Sequence, residues 1–171
     1  MGWIKIYTYP DPMLKKKAEE VSDIDGILEK LIKDMTDTMY YAPGIGLAAP
    51  QVGVSSRLVV IDQSLGKRRA PLVMINPRII SSEGTTFEEE GCLSFPETFG
   101  QVKRAQRVEV EFIDIKGKES RLVGEDLLAR VFQHEIDHLD GILFIERMNI
   151  IKRDFIKMRY LKKIKKKKRQ P

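Results

Sequence analysis

Gln133-His134-Glu135-Ile136-Asp137-His138-Leu139 is the stretch on which the reading of this chain turns. On a helix, an H-E-x-x-H pattern stacks two imidazoles one turn apart with a carboxylate beside them. Around it, Leu127, Leu128, Val131, Phe132, Ile136 and Leu139 recur at helical spacing from Gly124 onward, and Gly141 stands where a helix would end. The spacing predicts a buried helix over 124–139 that carries His134, Glu135 and His138 inward.

These two histidines are the only ones in the chain. A catalytic metal usually takes three protein ligands and keeps one position open. After His138 the sequence offers no histidine and few acids, namely Asp140, Glu146 and Asp154, so a third ligand is expected from upstream. The single cysteine, Cys92, lies in Glu89-Glu90-Gly91-Cys92-Leu93-Ser94 and would complete a two-nitrogen, one-sulfur set. Taken alone, a free cysteine is more often a small buried hydrophobe, and Glu88 to Glu90 would read as a solvated turn. With two of the three good ligands already at metal spacing, the bland reading loses ground.

At 171 residues the chain is expected to form one catalytic domain over 1–171, with a basic C-terminal helix and tail from about 148 to 171. A domain of that length buries roughly two thirds of the surface its unfolded chain exposes. One cysteine excludes an internal disulfide, and no apolar run approaches the ~20 residues of a membrane helix, so no membrane partner and a reducing cytoplasm are expected. Met1-Gly2-Trp3-Ile4-Lys5-Ile6 lacks the apolar core of a signal peptide, and Ile6 stands where a myristoylation motif requires Ser or Thr. The net charge of +5 hides a division: Lys152 to Arg169 holds eleven basic residues and one acid, a local +10 that leaves the rest at −5. Two readings of this arm stand, a contact with polyanions such as ribosomal RNA through Lys162 to Arg169, or a solvated tail.

The remaining pattern predicts an α+β fold: antiparallel sheets packed around the central H-E-x-x-H helix, with N-terminal and C-terminal helices. Ser22 or Asp23 would cap a first amphipathic helix, with Leu28, Leu31, Ile32, Met35 and Met39 on one face and a stop at Pro43. Short strands are expected over 57–62, 72–75 and 79–81, separated by Gly66, Pro71 and Pro77. Val108 to Phe112 alternates as a half-buried strand, and a turn at 115–118 leads into 121–123. A last helix over about 148–165 would bury Ile151, Phe155, Met158 and Leu161.

Gly44-Ile45-Gly46-Leu47-Ala48-Ala49-Pro50-Gln51 superficially fits a dinucleotide fingerprint, but it follows a helix where that motif must leave a strand, and Pro50 stands where a helix would start. Bare glycine backbone is better suited to pairing with another extended chain. In order, this segment, Glu90-Gly91-Cys92-Leu93-Ser94 and Gln133-His134-Glu135-Ile136-Asp137-His138 closely resemble the three signature motifs of peptide deformylase, the enzyme that removes the formyl group from the starting methionine of new proteins. Tyr9-Pro10-Asp11-Pro12 and the continuation Leu139-Asp140-Gly141-Ile142-Leu143-Phe144 extend the resemblance over nearly the whole chain. Pro50, and Lys103 where many relatives place a proline, are departures that remove no catalytic atom.

The resemblance implies that Cys92, His134 and His138 bind one divalent metal ion, Fe²⁺ in cells, with Zn²⁺, Ni²⁺ or Co²⁺ chemically compatible. It implies that Glu135 shuttles the proton, that Gln51 and the Leu93 N–H face the oxyanion, and that Ile45, Gly46 and Gly91 pair with a formyl-methionyl nascent peptide. Residues matching Leu127 and Val131 border its methionine pocket. Glu90 and Arg104 would form a supporting pair or a plain surface salt bridge. The rivals are an H-E-x-x-H zinc peptidase, a cysteine hydrolase using Cys92 and His134, and a nucleic-acid-binding protein with a structural metal.

Overall fold

The computed structural model describes residues 3–167, and for Lys167 the backbone alone. The readings placed on Met1, Gly2, Lys168 and Arg169 lie outside these residues. Helix α1 (Gly26–Tyr41) starts at Asp25, whose carboxylate accepts the Leu28 N–H at 2.8 Å. Ser22 and Asp23, the expected caps, sit ahead of it because Asp25 is the residue that reaches the open amides of the first turn.

Five strands form one antiparallel sheet in the order β1-β2-β3-β6-β7: β1 (Gly46–Ala48), β2 (Leu58–Asp62), β3 (Pro71–Glu83), β6 (Arg107–Ile113) and β7 (Glu119–Glu125). Helices cover both faces of its β1-β2 end, so every residue of β2 is buried. Period-two alternation divides the side chains between them. Leu58, Val60, Leu47 and Ile75 pack with Leu28, Met35 and Met39 of α1. Val59, Ile61, Ala48 and Met74 pack instead with Phe132, Val131 and Ile136 of α2 (Asp126–Leu139). Each fully buried side chain of this kind contributes about 1.5–3 kcal/mol.

The strands expected over 72–75 and 79–81 are one strand, β3, which passes through Pro77. The pairing with β6 shifts register between Ile75 and Arg78, which puts Pro77 in a bulge where no ladder N–H is demanded. Asn76 takes the left-handed φ of 51°, and its side chain clamps Val21, accepting from the N–H at 2.8 Å and donating to the carbonyl at 2.9 Å. Glu88 to Glu90 lie in β4 (Thr86–Cys92), paired with β5 (Phe95–Arg104) as a separate two-stranded sheet, so the bland reading as a solvated turn fails.

The last helix, α3 (Ile150–Lys167), buries the other stripe from the one the spacing suggested. Ile151, Phe155 and Met158 are exposed, whereas Tyr160 is buried with Ile156 and Ile164 against Phe95, Val102 and Phe144. Both stripes have helical spacing, and the aromatic cluster of Tyr9, Phe95 and Tyr160 selects the one that faces inward. Among the described residues, no helix is long and apolar enough to cross a membrane.

Asn76→Ala would lose both bonds to Val21 and the polar side chain that makes a left-handed conformation tolerable at this position. We expect a loss of about 2–3 kcal/mol, read as a lower urea midpoint at an unchanged slope.

Candidate active site

Three elements bring the three motifs together. Helix α2 crosses the sheet with Gln133 clasping the β5–β6 junction: its Oε1 accepts the Ala105 N–H at 3.0 Å and its Nε2 donates to the Ala105 carbonyl at 2.9 Å. The β4–β5 hairpin then turns at Leu93-Ser94, which puts Cys92 over the helix face carrying both histidines. Ligand atoms of Cys92, His134 and His138 all lie within 4.8 Å of one another, the one such cluster of histidine, cysteine and acid groups found among the described residues.

The sulfur of Cys92 stands 3.2 Å from His138 Nε2. The Ser94 N–H at 3.4 Å and the Gln51 amide at 3.6 Å also face it, donors that suit a charged sulfur. His134 Nδ1 is engaged with Glu90 at 2.9 Å, which leaves Nε2 free to serve as a ligand atom. Burial opposes a charge on His134, but Cys92 and Glu90 outweigh it and raise its affinity for a proton. A field that holds a proton there also favours a divalent cation. His138 is pushed well below the usual histidine range by burial, reinforced by His134 and Arg104, and so is held neutral as a nitrogen ligand must be. Two imidazoles and a thiol therefore fit a three-ligand catalytic metal.

Glu135, on the same helix, is not part of that cluster. Burial, aided by Glu90, raises its carboxyl to about 7, and Oε2 has no hydrogen-bond partner among the described residues. The other face of its carboxylate lies against Gly46, where a β-carbon would overlap it. This explains the second glycine of Gly44-Ile45-Gly46: absence of a side chain admits the Glu135 carboxylate.

Every residue assigned to the metal, the proton transfer, the oxyanion or the peptide lines one cavity of about 700 Å³, except His138, which is buried beside Cys92. Gln51 is the third residue of the four-residue 3-10 helix Ala49–Val52, which Ala49 and Pro50 open, so a short helix does begin at the proline; proline is tolerated in a first turn. Its Oε1 accepts the Ala48 N–H at 2.9 Å and its Nε2 donates to Ser94 Oγ at 3.1 Å. Ser94 was missed in the sequence, where a serine after Cys-Leu carries no signal of its own. Arg130, also on the wall, was missed because it reads as a solvated helix position.

Glu90 and Arg104 prove to be a buried pair, with side chains 4% and 3% exposed. Burial works against the Glu90 charge, but hydrogen bonds from His134 and Arg104 bring its carboxyl down to about 2.

Residues 3–154 match the family described as polypeptide deformylase. The chain belongs to the peptide deformylase family. A peptide deformylase of Thermodesulfovibrio yellowstonii is 52% identical over 161 residues, covering 94% of this chain and 98% of that one. The crystal structure of a peptide deformylase from Legionella pneumophila superposes with a TM-score of 0.91 at 45% identity, covering 99% and 100% of the two chains. One from Synechococcus elongatus, solved in complex with actinonin, gives 0.86 at 43% identity, with 91% and 86% covered. The activity is that of peptide deformylases: metal-dependent hydrolytic removal of the N-formyl group from nascent peptides. The peptidase, cysteine-hydrolase and nucleic-acid-binding rivals are thereby set aside.

Gly46→Ala would push the Glu135 carboxylate off its seat while leaving the three metal-ligand candidates in place. A displacement of that order is expected to lower formate release by about 10²-fold with metal content unchanged, measured by a formate-coupled assay alongside elemental analysis.

Proposed function

We propose that Cys92, His134 and His138 hold the metal ion of this deformylase and that Glu135 carries the proton. The convergence of one thiol and two imidazoles, with Cys92 and His134 on the wall of the cavity that Glu135 also lines, is the observation that supports it. When bound, a divalent ion supplies electrophilic polarisation and acidifies water. Glu135 Oε2 takes a proton from the attacking water and passes it to the amide nitrogen as the C–N bond breaks, yielding formate and a free amine. A carboxyl near neutrality suits both transfers. The Gln51 Nε2 amide and the Leu93 N–H donate to the developing oxyanion, and loss of one such donor costs about 3 kcal/mol.

The substrate we assign is a nascent chain beginning with formyl-methionine. Its backbone runs between Ile45-Gly46 and Gly91, and its thioether lies on the apolar wall of Leu127 and Val131. Fe²⁺ is the ion we propose in cells, and metal analysis after anaerobic purification tests it. We read residues 1–171 as one catalytic domain, working in the cytoplasm where such chains emerge and where Cys92 stays reduced. Glu135→Gln is expected to keep its metal and lose at least about 10²-fold in turnover. Cys92→Ser is expected to lose metal affinity, and full occupancy with normal activity would remove Cys92 from the ligand set.

A ribosome contact through the basic arm forms the second part of the proposal. Helix α3 exposes Ile151, Phe155 and Met158 beside a dense run of lysines, a surface suited to an anionic, partly apolar partner such as ribosomal RNA and protein. Truncation after Tyr160, provided the shortened helix still covers the core that Ile164 helps to close, should leave hydrolysis of short formyl-peptides intact and weaken ribosome co-sedimentation at low salt. Equal sedimentation of both forms would leave the arm a solvated tail.

A further inference from the structure

The chain of charges behind His134 extends further than one ligand requires. Arg104 grips Glu90 through Nε at 2.8 Å and Nη2 at 3.1 Å, and spends Nη1 on Asp137 Oδ2 at 2.5 Å. Asp137 is held from its other side by Arg147, with Nε 3.0 Å from Oδ2 and Nη2 2.5 Å from Oδ1. Glu90, Arg104 and Asp137 are almost sealed, whereas the Arg147 side chain is 44% exposed. It stands at the end of the 3-10 helix Phe144–Arg147, on the wall of a second cavity of about 380 Å³ that shares no lining residue with the substrate cavity.

Without Arg147, one guanidinium would serve two buried carboxylates, and Asp137 would compete with Glu90 for it. With Arg147, two carboxylates meet two guanidiniums, and the Nε–Nη2 fork of Arg104 stays on Glu90. Glu90 in turn fixes the ring of His134. We propose that Arg147 is a positioning residue for the metal centre: by satisfying Asp137 it leaves Arg104 to lock Glu90, and through Glu90 the orientation of His134. The inference rests on the assignment of Cys92 and His134 as ligands, and gives the centre a control point on the molecule's surface, remote from the peptide.

The test uses the full chain loaded with Co²⁺, comparing wild type, Arg147→Gln, Arg147→Lys and Arg57→Gln. Arg57 bonds Asp140 at 2.7 Å, just beyond the end of α2, and belongs to no part of the chain to His134, so it controls for general destabilisation. Arg147→Gln is expected to release Co²⁺ to EDTA on the order of tenfold faster than wild type. Its cobalt ligand-field bands should shift, while KM for a formyl-methionyl peptide stays within about twofold. Arg147→Lys, a point charge without the fork, should recover only part of the loss. Arg57→Gln should melt lower yet release Co²⁺ at the wild-type rate. Unchanged bands and release in Arg147→Gln, or equally fast release from Arg57→Gln, would overturn the role of Arg147 alone. A wild-type protein with no Cys92-dependent sulfur-to-cobalt band would overturn the ligand assignment and the inference with it.

Discussion

The Arg104 guanidinium, shared between Glu90 on the hairpin and Asp137 on the central helix, is the interaction that holds the two halves of the site in register. The hairpin supplies the sulfur and the helix supplies both imidazoles, and they belong to different layers of the fold. Apolar packing brings such layers together with some freedom to slide, whereas a bidentate ion pair has one geometry. Burying these charges is costly, and removal of one partner typically costs about 3–5 kcal/mol because the other is left uncompensated. The pair therefore serves geometry more than stability.

The same economy of space governs Glu135, the proposed acid–base residue. Glu135 is buried among groups of both signs, and its carboxyl reaches about 7 because burial and Glu90 outweigh His134 and Arg104. That balance is available because Gly46 has no side chain and Gln51 turns its amide toward Cys92 and Ser94 instead of toward the carboxylate. The glycine segment thus has two duties, a bare strand at the cavity wall and a close approach to the carboxylate behind it.

Burial also decided several elements that the pattern of residues left ambiguous. In α3, the stripe Ile151-Phe155-Met158 and the stripe Ile156-Tyr160-Ile164 satisfy helical spacing equally well, and the aromatic cluster around Phe95 buries the second. Pro77 reads as a strand terminator until a bulge in the β3–β6 pairing removes the need for its N–H. Three consecutive glutamates read as solvent-facing, and two of them, Glu88 and Glu89, are exposed. Only the third is buried, where it meets Arg104 and His134; alternation alone does not single it out, since Glu88 shares its face of the strand.

From the sequence alone came the chemistry: two histidines at helical spacing, one thiol, an acid adjacent to the first histidine, and the glycine segment, each a local pattern set by covalent order and helix or strand period. The identity of the helix faces around 28–39 and 124–139 was equally local, because each carries one apolar stripe. Tertiary structure decided what depends on partners distant in the chain: the Glu90–Arg104–Asp137–Arg147 alignment, the seat of Glu135 against Gly46, the anchoring of Gln51 by Ser94, and the buried side of α3. Charged and small residues announce neither burial nor partner in a linear sequence, since their cost or fit exists only once another layer closes over them.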